Sequence, residues 1–278
     1  MLRTIWYIIL FFVHCNTTIA QLKGGVIYEA QISGIHQRIC LSDLGVQAFI
    51  VNGICPNISP DKKSMVYILP AKRDGLGSVY MYSFITHLSR KLVAVQACNP
   101  HWSPDGKTIL FECFSEGKAA IYIANTITGN YKKFISNAKN PSWSPDGKQI
   151  VFVRNYDIYT TAFKMPKSVK RITTTAEIIE KFPSWSPDGN RIAYYLQNNH
   201  GRKQEDAIYI LDLQSGNSQK IVNHQSDYFS WADDNHLLIN MRDSNYFSQI
   251  AILNIQDKTI QMITTGNQNH SWPVWVSQ

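Results

Sequence analysis

Pro141-Ser142-Trp143-Ser144-Pro145-Asp146-Gly147-Lys148-Gln149-Ile150-Val151-Phe152 reads as half of a β-hairpin. Ser-Pro-Asp-Gly suits a tight turn, because Pro presets φ at the second turn position and Gly accepts the left-handed conformation that follows. Ile150 and Phe152 then alternate as in a strand. The stretch decides the fold because it recurs. Nearly the same residues stand at Pro100-His101-Trp102-Ser103-Pro104-Asp105-Gly106-Lys107 and at Pro183-Ser184-Trp185-Ser186-Pro187-Asp188-Gly189-Asn190.

Aligned on the turn, Ser59, Ser103, Ser144, Ser186, Ala232 and Val276 fall 41 to 46 residues apart, the size of a four-stranded propeller blade. One unit predicts an inner strand at Asn99 to Ser103 and a second at Thr108 to Cys113. A third follows at Ala120 to Ala124, and an outer one at Tyr131 to Ile135. The third strand recurs at Ser78-Val79-Tyr80-Met81-Tyr82, Asp157-Ile158-Tyr159-Thr160, Ala207-Ile208-Tyr209-Ile210-Leu211 and Gln249-Ile250-Ala251-Ile252-Leu253. The outer strand recurs at Lys91 to Val95, Lys170 to Thr173, Gln219 to Val222 and Ile260 to Ile263. Residues 25–50 supply second, third and outer strands without an inner one, and residues 271–278 supply an inner strand with nothing after it. The expected fold is therefore an all-β, six-bladed β-propeller of four-stranded blades, closed by N- and C-terminal strands that share one blade. Such closure leaves only short, protected edges.

Trp102, Trp143, Trp185, Trp231 and Trp275 occupy one place in the repeat, with Ile58 in the remaining copy. They are expected to be structural, filling the wedge between neighbouring blades. The Asp series Asp61, Asp105, Asp146, Asp188 and Asp234 is too dispersed for one coordination sphere, and turn stabilisation accounts for it. At the glycine position Lys62 stands in one copy and Asn235 in another, where Asn tolerates the left-handed conformation best after Gly.

The 278 residues carry 27 basic and 20 acidic side chains. Residues 1–20 have the layout of a secretory signal peptide: Arg3, the apolar run Ile5 to Val13, and small residues up to Ala20. Cleavage near Ala20 would leave residues 21–278 as the propeller, without a transmembrane segment, in the periplasm or outside the cell. Nine apolar residues are too few to span ~30 Å of hydrocarbon. Loss of Arg3 leaves 26 basic against 20 acidic groups, a net +6 that permits an anionic partner without demanding one. Of the four remaining cysteines, Cys98 and Cys113 are the candidate disulfide pair, at the same end of one hairpin. Strict pairing sets them one residue out of register, so a bridge needs a bulge or a frayed strand end. No Cys-x-x-Cys occurs, which argues against zinc.

The pattern Pro-x-Trp-Ser-Pro-Asp-Gly-x-x-Ile-x-Phe followed by Ile-Tyr resembles the six-bladed propeller domain of TolB and related periplasmic proteins, over residues 25–278. TolB proper carries an α/β domain between its signal peptide and its propeller. Here about four residues separate Ala20 from the first strand, so that domain is expected to be lacking. In the family the propeller binds the peptidoglycan-associated lipoprotein and other envelope proteins. The resemblance thus implies an exported, monomeric protein-binding scaffold.

Known catalytic signatures are missing: there is no Gly-x-Ser-x-Gly, no His-Glu-x-x-His and no Gly-x-x-x-x-Gly-Lys. No catalytic residue, metal ligand or cofactor is assigned. His101, His200, His224 and His270 fall in or beside loops of the channel-opening face, and a pair of them with a metal would support the alternative, a lyase or hydrolase on a small or saccharide substrate. The second-to-third loops balance their charges, which suits a hydrated protein-binding face and not a nucleic-acid groove. Candidate partner contacts there are Arg73, Arg154, Arg202, Lys203 and Arg242, with His101 and His270, for an envelope or host protein. The opposite face and rim hold the basic surplus, including Lys62, Lys63, Arg90, Lys167 and Lys170. On outer strands, Lys discourages edge-to-edge pairing.

Overall fold

The computed structural model describes residues 24–33, 36–43, 46–71, 75–115, 117–175, 178–198, 206–223 and 228–277. The proposed leader and Arg73, Arg202, Lys203, His200 and His224 lie outside the described residues. Every described element is a β-strand, and the chain is a propeller of four-stranded blades. The first sheet combines β1 (Gly24–Ser33), β2 (His36–Asp43) and β3 (Val46–Asn52) with the last strand, β23 (Asn269–Ser277), which runs antiparallel to β1.

Next come β4 (Ile54–Ile58), β5 (Ser64–Pro70), β6 (Gly77–Ser83), β7 (Ser89–Trp102), β8 (Thr108–Ser115), β9 (Lys118–Asn125) and β10 (Tyr131–Ser136), joined as a seven-stranded sheet. The sequence predicted separate outer and inner strands in place of β7. They are continuous because Ala97 pairs with Gly77 of β6 and with Cys113 of β8, so no residue is left to form a loop. Three four-stranded sheets follow. They are β11 (Lys139–Trp143), β12 (Gln149–Arg154), β13 (Asp157–Ala162) and β14 (Met165–Arg171); β15 (Ile178–Trp185), β16 (Arg191–Asn198), β17 (Ala207–Asp212) and β18 (Ser218–Asn223); and β19 (Phe229–Asp233), β20 (His236–Arg242), β21 (Ser248–Asn254) and β22 (Ile260–Met262). β14 lies nearer the N-terminus than the expected Lys170 to Thr173, because Thr173 turns its hydroxyl back to accept from the Ile158 amide.

The second strand of each sheet is buried on both faces, which explains why Ile150-Val151-Phe152 is an apolar run and not a strict alternation. Its two faces feed two different cores. Leu110 and Ile121 pack with Ile150 and Phe152, Val151 and Ile158 with Ile192 and Tyr194, and Ala193 and Ile208 with Leu237 and Ile239. Leu238 and Ile250 then pack with Val26 and Tyr28, Ile27 and Ile39 with Met65 and Tyr67, and Val66 and Ile68 with Ile109 and Phe111. The succession of cores returns on itself, so sheets stand face to face around an axis. Trp143 (7% exposed) and Trp185 (9%) are buried in these cores, while Trp102, Trp231 and Trp275 pack against them half-buried.

The repeated turn has one hydrogen-bond scheme. Ser103 Oγ donates to Asp105 Oδ1 (2.6 Å), and the same carboxylate oxygen accepts from the Lys107 amide (3.0 Å). The scheme recurs at Ser59/Asp61, Ser144/Asp146 and Ser186/Asp188, and it holds these aspartates below the usual carboxylate range. Gly106, Gly147 and Gly189 have φ near +70°, and Lys62 adopts φ 60° in the copy without glycine. The fifth copy differs from the expectation. Trp231 pairs with Leu237, one residue closer than Trp102 with Ile109, so the turn has lost a residue. Asp233, not Asp234, therefore accepts from the Asn235 amide, and Asn235 is not among the left-handed residues. Asp234 instead accepts from the Asp188 amide of the neighbouring sheet (2.8 Å).

Candidate functional site

The inner strands surround a channel, a cavity of about 350 Å³. Residues 55–58, 99–102, 140–143, 182–185, 228–231 and 272–275 supply its wall, one segment from each inner strand. Three residues before the tryptophan position, each segment places one side chain at the end of the channel remote from the Ser-Pro-Asp-Gly turns. These are Cys55, Asn99, Asn140, Phe182, Tyr228 and Trp272.

All but Tyr228 are followed by proline, and those five have φ between 49° and 53°. Left-handed backbone is tolerable for Asn but strained for Cys, Phe and Trp, at roughly 1–3 kcal/mol each. The ladder bulges at the same points, for example between Cys98 and His101 and between Lys181 and Ser184. Each bulge leaves a backbone amide that the ladder does not use, and buried side chains satisfy several of them.

The resulting hydrogen bonds run from sheet to sheet. Glu29 Oε1 accepts from the Cys55 amide (2.5 Å), and the Cys55 thiol faces Asn99 Oδ1 (3.8 Å). Asn99 Nδ2 donates to Glu112 Oε1 (2.5 Å), which also accepts from the Asn140 amide (2.9 Å). Asn140 Oδ1 reaches the Phe182 amide (3.5 Å). At Phe182 the polar belt gives way to aromatic contact. Phe182 lies 6.1 Å from Tyr228 and 5.9 Å from Trp272, and Tyr228 and Trp272 are 4.5 Å apart between ring centroids. Ser271 Oγ then donates to Glu29 Oε2 (3.4 Å) and closes the circuit. Half of the channel mouth is thus small and neutral-polar, and half is aromatic.

The carboxylates behind the belt are enclosed. Burial raises the Glu29 pKa to about 8, against weaker lowering by its hydrogen bonds to Cys55 and Ser271, and burial raises Glu112 too. Burial also pushes the Cys55 thiol well above the ordinary range. Among the described residues, no carboxylate, lysine or arginine lines the channel. His101 does, and burial lowers its pKa to about 4.

The other sequence-predicted residues are dispersed. His270 was expected on the channel-opening face, but it is 1% exposed, tilted against the Tyr28 ring (4.7 Å between centroids), with Nδ1 2.9 Å from Thr264 Oγ1. It is a strut: Thr264 also accepts from the Ile250 amide, as Thr173, bonded to buried Glu180, accepts from Ile158. Glu180 and His270 both precede their tryptophan by five residues. Arg154 covers Phe152 and Tyr159 of its own sheet and donates to the Ser136 and Asn137 carbonyls at the end of β10, so it ties its sheet to the preceding one. Arg242 is exposed. Cys98 and Cys113 are unbridged: Cys113 pairs with Ala97 and Cys98 with Glu112, so adjacent register points the thiols to opposite faces.

Sequence reasoning missed Phe182 and Tyr228 and gave Trp272 no role, although reading that one column of the repeat would have brought all three together. Among the described residues, no three of His, Cys, Asp and Glu converge on a point that could hold a metal. No helix of the described residues is long and apolar enough to cross a membrane.

Comparison with known proteins follows the same architecture. TolB from Acinetobacter baumannii superposes with a TM-score of 0.79 at 19% identity, over 91% of this chain and 66% of that one, so the chain spans about two thirds of that protein. A putative TolB from Agrobacterium tumefaciens matches with a TM-score of 0.64 at 19% identity, over 87% and 89% of the two chains. An oligogalacturonate lyase in complex with manganese matches with a TM-score of 0.58 at 14% identity, over 82% and 70%. At such identities the likeness shows the fold alone. No curated protein sequence matches the chain. Residues 98–277 match the family model described as the TolB beta propeller domain, and the chain belongs to that family.

Proposed function

We propose that the chain is an exported six-bladed propeller acting as a monomeric protein-binding scaffold in the cell envelope or outside the cell, without catalysis of its own. Six wall segments support the blade count, and the layout of residues 1–20 supports export. One observation carries the binding reading: the channel mouth is divided into a neutral-polar arc at Cys55, Asn99 and Asn140 and an aromatic arc at Phe182, Tyr228 and Trp272. Aromatic anchors beside uncharged polar groups are the usual chemistry of a protein contact. An ionised substrate would meet no opposite charge among the described residues of that wall. The partner segment is uncharged where it enters, with an apolar or aromatic side chain for the Trp272 arc. Arg242 offers a cation outside the mouth.

The lyase or hydrolase alternative needs a histidine pair in the channel; of its four candidates, His101 lines the channel, His270 is enclosed within its sheet, and His200 and His224 lie outside the described residues. A pull-down from envelope extract with wild type, Trp272→Ala and Arg242→Ala tests the scaffold reading. Truncating a central Trp anchor should weaken capture by about 2 kcal/mol, roughly thirtyfold, with a smaller loss for the exposed Arg. Capture that survives Trp272→Ala, or the absence of any specific partner, would refute it.

A further inference from the structure

The face opposite the channel mouth is two-sided. Each third-to-outer hairpin is hydrogen-bonded to its own inner-to-second turn: Phe84 N to Lys63 O, Thr126 N to Lys107 O and Phe163 N to Lys148 O. Tips and turns therefore share this face. In three consecutive repeats the tips project large apolar side chains into water: Ile85 (68% exposed), Leu88 (70%), Ile127 (81%) and Met165 (64%). The first two tips are neighbours, since the Arg90 guanidinium donates to the Thr126 carbonyl, and the turns beside the second and third stand close, since a Cβ on Gly147 would lie 3.7 Å from Pro104. In the next two repeats the same tips are polar, with Gln214, Ser215, Gln256 and Asp257.

Charge divides in the same place. Exposed Lys63, Lys107, Lys148 and Lys164 stand among the apolar tips. The carboxylates there, Asp61, Asp105 and Asp146, are bonded to the serines of their own turns and stay ionised, with Lys148 3.4 Å from Asp146. Lys62 and Arg90 add to the four lysines and keep this half basic. The polar half carries Asp188, Asp212, Asp233, Asp234 and Asp257 against Arg191 and Lys258. Single exposed apolar residues are ordinary, but four on adjacent tips within a basic field are a patch with a direction.

We propose that this half-face docks on an anionic lipid bilayer, with Ile85, Leu88, Ile127 and Met165 entering the acyl boundary and the lysines resting on the headgroups. Separated aliphatic points on rigid turns suit a soft interface better than a complementary protein pocket. The acidic half tilts away from the same surface. Nothing in this proposal depends on the channel.

The test is sedimentation of the purified chain with phosphatidylcholine vesicles, with and without phosphatidylglycerol, at low and high salt. Binding is expected only to the anionic vesicles, weakening with salt. The Lys63→Gln/Lys107→Gln/Lys164→Gln triple variant should lose about a hundredfold, from roughly fivefold per cation. Leu88→Ser/Ile127→Ser should lose at least about tenfold. All five positions are exposed, and an unchanged thermal transition in each variant certifies the fold. Equal retention by both lipids, no retention at low salt, or variants that bind like wild type would overturn the proposal. So would dimerisation in solution that the Leu88→Ser/Ile127→Ser variant abolishes.

Discussion

Replacing Glu29 by Gln should remove most of one pH dependence of stability. Glu29 is 2% exposed, and among the described residues its carboxyl has no ion-pair partner: Oε1 accepts from the Cys55 amide and Oε2 from the Ser271 hydroxyl. Burial therefore raises its pKa from 4.5 to about 8. For an acid whose folded pKa is raised, the unfolded chain releases the proton first. The folded state thus binds more protons between about pH 4.5 and pH 8, and stability falls as pH rises through that window. The whole gap corresponds to about 5 kcal/mol, of which roughly 3–4 kcal/mol lies between pH 5 and pH 8.

Gln keeps the acceptor for Cys55 and cannot ionise. Urea unfolding followed by tryptophan fluorescence should show Glu29→Gln close to wild type at pH 5 and more stable by roughly 3–4 kcal/mol at pH 8. His101 and His270, whose pKa values burial lowers to about 4, take stability away as pH falls below about 6.5, but they do so in both proteins and cancel in the difference. A gap between the two proteins that stays constant to within about 1 kcal/mol across pH 5–8 would refute the reasoning.

Two further predictions concern the repeat itself. Trp143→Ala should cost ~3–5 kcal/mol in the same unfolding assay, because the ring is 7% exposed and packs edge-on against Phe163 at 4.7 Å; near-wild-type stability would remove it from the core. Gly147→Ala and Gly129→Ala both place a Cβ on left-handed backbone, at φ 69° and 72°. The first meets only Pro104 at 3.7 Å and should cost about 1 kcal/mol, whereas the second would put its Cβ 2.3 Å from the Leu92 carbonyl oxygen and should cost clearly more. Equal melting shifts for the two would contradict that difference.

The strands and turns were legible because their causes are local. Ser144, Pro145, Asp146 and Gly147 contain the whole hydrogen-bond scheme of the turn, and Ile150 to Phe152 show their burial by composition. Where the local cause decays, reading becomes unreliable. The fifth turn has no Ser-Pro, and the position of its structural carboxylate was misread by one residue. His270 looked like a loop residue by its place in the repeat. It is a strut because Thr264, six residues earlier, and Tyr28, at the other end of the chain, enclose it.

The sequence by itself determined the blade: a period near 44 residues, a turn that needs left-handed backbone, and apolar runs that demand cover on two faces. Tertiary structure alone decided what faces what around the axis. Cys55, Asn99, Asn140, Phe182, Tyr228 and Trp272 are each about one repeat apart in the chain, so no local pattern relates their chemistry. Closing the ring brings them to one rim, and the bulge before each proline sets the backbone of five of them in the left-handed region. The division of that rim into polar and aromatic arcs is a property of the closed ring, because it exists only between residues that the ring makes neighbours.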